Sequence, residues 1–190
     1  MMNIKLPQPK FNGTFSIEKS IYERKSVRRF SRKKIEIEKI SQLLWAAQGK
    51  KGIKRTVPSA GSTYPLEIYA ILKDKGFFYY NIDNHILELL TDEDLTNKLV
   101  KASLDQHFIG EAYLNIIICA QFSRTTLGYG QRGIRYVFIE VGHCAQNIHL
   151  QAVALGLASV PIGAFEDEKV KQVLHLQKNI EPLYIIPIGY

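Results

Sequence analysis

The sequence predicts an α+β fold, on three observations. Residues 36–48 and 134–155 repeat apolar side chains at helical spacing over several turns. Two runs of strand formers, Leu66 to Leu72 and Phe77 to Tyr80, flank the turn Lys73-Asp74-Lys75-Gly76 and read as a hairpin. The run Leu114-Asn115-Ile116-Ile117-Ile118-Cys119-Ala120 is apolar on both faces, as a strand in mid-sheet must be.

Taken in order, Ser16 is placed to cap a short helix through Glu23, and Arg24 to Phe30 then breaks the apolar rhythm as a loop. The helix over 36–48 buries Ile37, Ile40, Leu43, Leu44 and Ala47, and Gly49 stands where a C-terminal cap belongs. Residues 50–57 are basic and lead into Pro58 to Pro65, a stretch too rich in turn formers to be regular. After the hairpin, Ile86 to Leu90 suits a third strand. Thr91 with Asp94 matches a capping box opening a helix that carries Leu95, Leu99 and Val100.

In the long helix the stripe Ile134, Phe138, Val141, Ala145, Ile148, Ala152 and Leu155 faces the core, and Gly156 ends it. Its other faces hold Val137, Gly142, Cys144 and Ala154 with few charges, so a cover is expected nearly all round, including from a second subunit. A turn over 158–165, a helix from about Glu166 to Leu174 and a strand over Leu183 to Ile188 complete one domain spanning 1–190. Residues 1–15 form an extended arm.

Composition is that of an ordinary globular protein, 46% hydrophobic and 23% charged. No apolar run reaches the roughly 20 residues that span a bilayer, and Met1 to Pro7 lacks a signal-peptide core, so a cytoplasmic location is expected. Cys119 and Cys144 lie apart in apolar stretches and read as buried thiols rather than metal ligands; no metal is expected. Charge is uneven: residues 1–55 hold 15 Lys/Arg against 4 Asp/Glu, which suits an anionic partner.

No catalytic-triad order, zinc-protease helix, Walker loop or dinucleotide glycine motif is present. Three backbone-rich loops remain. Arg24, Lys25, Ser26 and Arg28 in the first offer guanidinium forks and a hydroxyl to a phosphate or an anionic ring edge. Pro58, Ser59, Ala60 and Gly61 open the second, with small donors and a glycine that lets backbone approach a ligand. Val160-Pro161-Ile162-Gly163-Ala164-Phe165 is the third and can present amides to a flat ring.

In this order the loops resemble the nitroreductase superfamily. Arg24-Lys25-Ser26-Val27-Arg28 matches its R-x-S-x-R/K opening, Pro58 to Pro65 its P-S-x-x-x-x-x-P loop, and the chain closes on Ile188-Gly189-Tyr190. The SagB-type branch is closer still. It shares Leu43-Leu44-Trp45-Ala46-Ala47-Gln48-Gly49, Tyr64-Pro65-Leu66-Glu67-Ile68-Tyr69, Arg132-Gly133-Ile134-Arg135-Tyr136 and Gly142-His143-Cys144-Ala145-Gln146-Asn147.

The resemblance implies a central, mostly antiparallel sheet flanked by helices, completed by homodimerisation, with FMN at the subunit interface and NAD(P)H as reductant. By position, Arg24 and Ser26 meet the FMN phosphate and ribityl chain, and Arg28 lies near the pyrimidine edge. An amide of Gly163 or Ala164, next to Pro161 and Ile162, donates to flavin N(5). Pro58, Ser59, Ala60 and Gly61 come from the second subunit. Family members commonly carry a further basic residue beyond the closing strand; with the sequence ending at Tyr190, Arg132 or Arg135 is expected to help Arg24 with the phosphate.

The azoline-oxidising members carry a Lys-Tyr pair where this sequence has Gly128-Tyr129. Glycine has no proton to give, which disfavours azoline dehydrogenation in peptide maturation and leaves Tyr129 as the one candidate catalytic side chain. The reading is therefore NAD(P)H-driven hydride transfer through FMN to a small nitro, quinone or similar acceptor. Its rivals are a non-catalytic flavin carrier and, more remotely, a nucleic-acid-binding module using the basic segment. Glu140, His143 and Asn147 are expected as buried, hydrogen-bonded polar groups of the dimer, and His85, His107, His149 and His175 as structural.

Overall fold

The computed structural model describes residues 3–190; Met1 and Met2, the start of the predicted arm, lie outside them. Elements follow in the order β1 (Ile4–Lys5), α1 (Ile17–Glu23), α2 (Ile37–Gln48), β2 (Lys50–Lys51), β3 (Lys54–Arg55), β4 (Leu66–Leu72), β5 (Gly76–Asn81) and β6 (Ile86–Thr91). They continue with α3 (Thr96–Ala102), α4 (Phe108–Glu111), β7 (Leu114–Ala120), α5 (Ser123–Tyr129), α6 (Arg132–Ala154), β8 (Ala158–Ser159), α7 (Asp167–Val173) and β9 (Glu181–Gly189).

Seven strands form one sheet in the order β1-β6-β5-β4-β7-β9-β8, every neighbouring pair antiparallel. β7 runs mid-sheet as its composition requires, buried at every residue. Its side chains alternate: Ile116, Ile118 and Ala120 join Leu43, Leu44, Val141 and Ile148 of α2 and α6 on one face. Ile117 and Cys119 join Leu95, Leu99, Val170 and Leu174 on the face covered by α3 and α7. Cys119 and Cys144 are both buried free thiols, and burial pushes both up from the ordinary thiol range.

Two readings need correction. The helix after β6 starts at Thr96, not at Thr91: Thr91 stays in the strand, its hydroxyl accepts from the Glu93 N–H at 3.2 Å, and Asp94 accepts from the Thr96 N–H at 2.9 Å. Gly49 caps the end of α2 as expected, in an extended conformation with φ −61° and ψ 154°. Glycine is needed there because a Cβ would sit 2.2 Å from Trp45 Cδ1. The basic stretch 50–57, to which the sequence assigns no element, contains the β2–β3 hairpin.

The second concerns α6. Its buried stripe runs through Val137, Val141, Cys144, Ala145, Ile148 and Ala152, while Ile134 and Phe138 are exposed. Gly133 explains the rotation, because a Cβ there would lie 2.9 Å from the Thr126 Cα: α5 packs directly on the first turn of α6 and turns Ile134 and Phe138 outward. No helix among the described residues is long and apolar enough to cross a membrane.

The turn between β4 and β5 places Gly76 at φ +116°, with Thr91 O 2.3 Å from where a Cβ would stand. Gly76→Ala therefore combines backbone strain with a clash into β6, and a loss of about 2–3 kcal/mol is expected in a urea melt.

Candidate functional site

The structure brings the first and third loops together. Ser26 bridges Ser159 in parallel register, and the Val27 N–H donates to the Ser159 carbonyl at 3.1 Å, so the Arg24–Arg28 loop lies along the strand that feeds Val160–Phe165. The Ile162 backbone then pairs reciprocally with Ile185 of β9 at 2.8 and 3.0 Å, which fixes the following turn. Gly163 and Ala164 are exposed, and among the described residues no acceptor meets either N–H. The Ala164 carbonyl, by contrast, is held by Gln106 Nε2 at 2.8 Å. Two amides are thus left free on a fixed turn.

Arg24 caps the end of α1 and is half-buried. One of its terminal nitrogens donates to Nε2 of His149 at 3.1 Å, and His149 Nδ1 lies 2.5 Å from the Ser159 hydroxyl. Burial, with the Arg24 charge beside it, pulls the His149 imidazole down to about 4. The ring is therefore neutral near pH 7, and Arg24 has a neutral partner. Lys25, Ser26 and Arg28 are exposed, with Arg28 lying 6.0 Å from the centre of the Phe108 ring. Among the described residues no carboxylate pairs with Arg24, Lys25 or Arg28, so their charge is available to an anion.

The second loop lies elsewhere. Gly61 adopts φ +57° inside a 3-10 turn over Ala60–Ser62, and the Tyr64 N–H donates to Ser59 Oγ at 2.9 Å. The loop is tied to α5: Thr63 and Thr125 hydroxyls meet at 2.8 Å, and Arg124 donates to the Tyr64 carbonyl at 3.1 Å while pairing with Glu67. Glu67 also accepts from Tyr79 at 2.7 Å. Tyr129 lies over Gly61, its hydroxyl 2.6 Å from where a Cβ would be, with its ring edge-on to Tyr136 at 5.2 Å.

Beneath this loop Glu140 is buried on α6. Burial raises its carboxyl, against hydrogen bonds from the Ser59 hydroxyl and the Gln48 amide that lower it. Glu140 and His149 are nine positions apart, about 13 Å along the helix and on opposite faces of it. The second loop therefore sits on the other side of α6 from the first and third. Arg132 and Arg135 are exposed on its first turn, roughly 20–25 Å along the axis from His149, and do not join Arg24 within one chain. Arg132 instead lies 5.9 Å from the Tyr136 ring centre.

An open groove of about 690 Å³, lined by Phe122, Thr126, Gly130, Gln131 and Ile134, runs between α5 and α6 on the side of the second loop. Beside it the exposed face of α6 carries Phe138, 53% exposed, and Ile139, 49% exposed, with Gly142, His143 and Gln146. His143 is thus exposed in the single chain, whereas Asn147 is half-buried and donates to the Ala46 carbonyl at 3.2 Å. No cluster of His, Cys, Asp or Glu among the described residues suits a metal ion.

Sequence reasoning missed Arg124, Thr125, His149 and Ser159. No local spacing signals them, because their partners lie far away in the chain. His149 also carries a solution signature. Unfolded, it binds a proton near its ordinary 6.5, which the folded state refuses until about pH 4. Its contribution to stability is therefore complete above 6.5 and is lost as pH falls through that window. Urea midpoints measured from pH 7 to 4 are expected to fall more steeply in the wild type than in His149→Gln.

The chain matches the nitroreductase family model over residues 21–190. A protein of Methanocaldococcus jannaschii described as a candidate nitroreductase is 39% identical, across 99% of this chain and 96% of its own. The microcin B17-processing protein McbC of Escherichia coli is 21% identical across 80% of this chain and 61% of its own, in keeping with the SagB-type likeness. A solved structure of a candidate nitroreductase from Ralstonia eutropha superposes with a TM-score of 0.88 at 26% identity, covering 98% of this chain and 88% of that one. With the α+β architecture and its antiparallel sheet, these matches establish that the chain belongs to the nitroreductase family of oxidoreductases.

Proposed function

We propose that the protein is an FMN-dependent oxidoreductase that takes hydride from NAD(P)H and passes it to a small organic acceptor such as a nitro compound or quinone, in a ping-pong cycle at one site. The observation that carries this reading is the junction of the first and third loops at Ser159, which brings the loop of uncompensated cations alongside the loop that carries two free amides. That donor set fits the group: a phosphate needs charge-assisted donors, and a planar ring needs fixed amides at its edge. Bound FMN supplies the two-electron chemistry, and the chain supplies orientation and charge.

In this reading Arg24, with Lys25 nearby, binds the phosphate and Ser26 the ribityl chain. Arg28 places positive charge beside the pyrimidine edge, where it stabilises the negative charge that reduction adds. Gly163 or Ala164 donates to N(5), with Pro161 and Ile162 holding the turn. The cytoplasm is the compartment this chemistry suits.

The separation of the loops supports a homodimer. Pro58, Ser59, Ala60 and Gly61 lie across α6 from Arg24, and the helix exposes Phe138, Ile139 and Gly142 on one face. A second copy packed there covers this apolar face and supplies its own second loop, with Tyr129, to the first copy's site. Gly142 has no atom within 4 Å of a built Cβ, which leaves room for close helix approach. Arg132 and Arg135, remote from Arg24 within the chain, would reach the phosphate only from the second copy.

Anaerobic absorbance spectra test the chemistry. The protein is expected to take up FMN and its bands to bleach with NADPH; failure to take up flavin would sink the proposal. Light scattering tests the assembly, with a mass twice the 21.7 kDa of the chain expected. Ile139→Arg puts a charge into the apolar face and is expected to give a folded monomer by circular dichroism that no longer retains FMN on gel filtration.

A further inference from the structure

The Arg24–His149–Ser159 chain is built as a relay, and its chemistry admits one arrangement. A guanidinium only donates, so His149 Nε2 must be the acceptor at 3.1 Å. A neutral imidazole then carries its proton on Nδ1 and donates to the Ser159 hydroxyl at 2.5 Å. The carbonyl of the same serine accepts the Val27 N–H at 3.1 Å, which sets the backbone of the loop that Arg24 opens. His149 is 2% and Ser159 1% exposed, so the relay is held by the core while the guanidinium stands at the surface.

We propose that His149 and Ser159 are positioning residues that hold Arg24 in place for a phosphate monoester without cancelling its charge. The inference rests on the reading of Arg24 as the FMN phosphate ligand. A free arginine loses much rotamer entropy when it binds an anion, and a tether made beforehand removes part of that cost. A carboxylate in the place of His149 would tether it equally well but neutralise it. The buried neutral imidazole does the first without the second, and it spends one of five N–H donors, leaving the rest for the anion.

Apoprotein titrated with FMN and with riboflavin, which lacks the phosphate, separates these roles. Asn at 149 reaches about as far as Nδ1 and keeps the Ser159 contact but leaves Arg24 untethered; Gln reaches about as far as Nε2 and keeps an acceptor for Arg24. Arg24→Ala and His149→Asn are each expected to weaken FMN about tenfold, the scale of one charge-assisted contact, with riboflavin changed less than about twofold and His149→Gln close to wild type. Selective loss in Arg24→Ala but not in His149→Asn overturns the relay and leaves the phosphate reading standing. An unchanged FMN-to-riboflavin ratio in Arg24→Ala overturns both. Independently of flavin, imidazole nitrogen NMR of the wild-type apoprotein at pH 7 is expected to show His149 protonated on Nδ1 alone, and the opposite tautomer overturns the relay whatever the variants do.

Discussion

The burial of α6 is the constraint on which the other features depend. The helix packs against the sheet and the helices α1, α2 and α5, and its buried residues come from more than one side of the cylinder. A helix packed so widely holds its polar groups only where each finds a partner. Glu140 finds Gln48 and the Ser59 hydroxyl, and His149 finds Arg24 and Ser159. Those two residues are the ties between the core and the loops, and because they stand on opposite faces of the helix the loops they hold are kept apart. The division of the proposed site between two chains therefore originates in the helical repeat.

Strands were legible where both their faces had to be apolar or where a turn was chemically marked. Leu114–Ala120 could lie only in mid-sheet, and the Lys73–Gly76 turn could join only adjacent strands; both are where the sequence puts them. Helix ends were less legible, since Thr91 and Asp94 carry the right groups for a cap yet the sheet claims Thr91 first. The α6 stripe was misplaced for a similar reason. Periodicity selects a face of a helix, but the close approach of α5 at Gly133 decides which face is covered.

The site was legible as three segments and not as an arrangement. Arginine, serine, proline and glycine in short irregular runs mark backbone that must meet something, whereas which run meets which depends on contacts made across the whole chain. Arg24 and His149 are separated by 125 positions, and a lone histidine on a helix has no spacing that distinguishes a tether from filler. The loops show themselves through local chemistry; the residues that position them show themselves only through topology.

The basic first third of the chain is partly engaged within the fold. Lys19 pairs with Glu23, Lys33 and Lys39 with Glu36, and Lys50 with Asp83, while the ammonium groups of Lys33 and Lys39 also lie over the Tyr190 ring. Phe11 lies against Trp45 and Lys19 over Phe15, while Phe11 and Tyr22 keep 77% and 89% of their surface exposed. Each surface pair contributes little to stability, and eleven of the fifteen basic residues of 1–55 have no carboxylate partner among the described residues. Arg24 and Arg28 differ in kind. One is tethered to a neutral imidazole, the other lies against an aromatic ring, and both belong to the loop that adjoins the one carrying the free amides, which favours a single compact anion at this place over an extended polyanion along the surface.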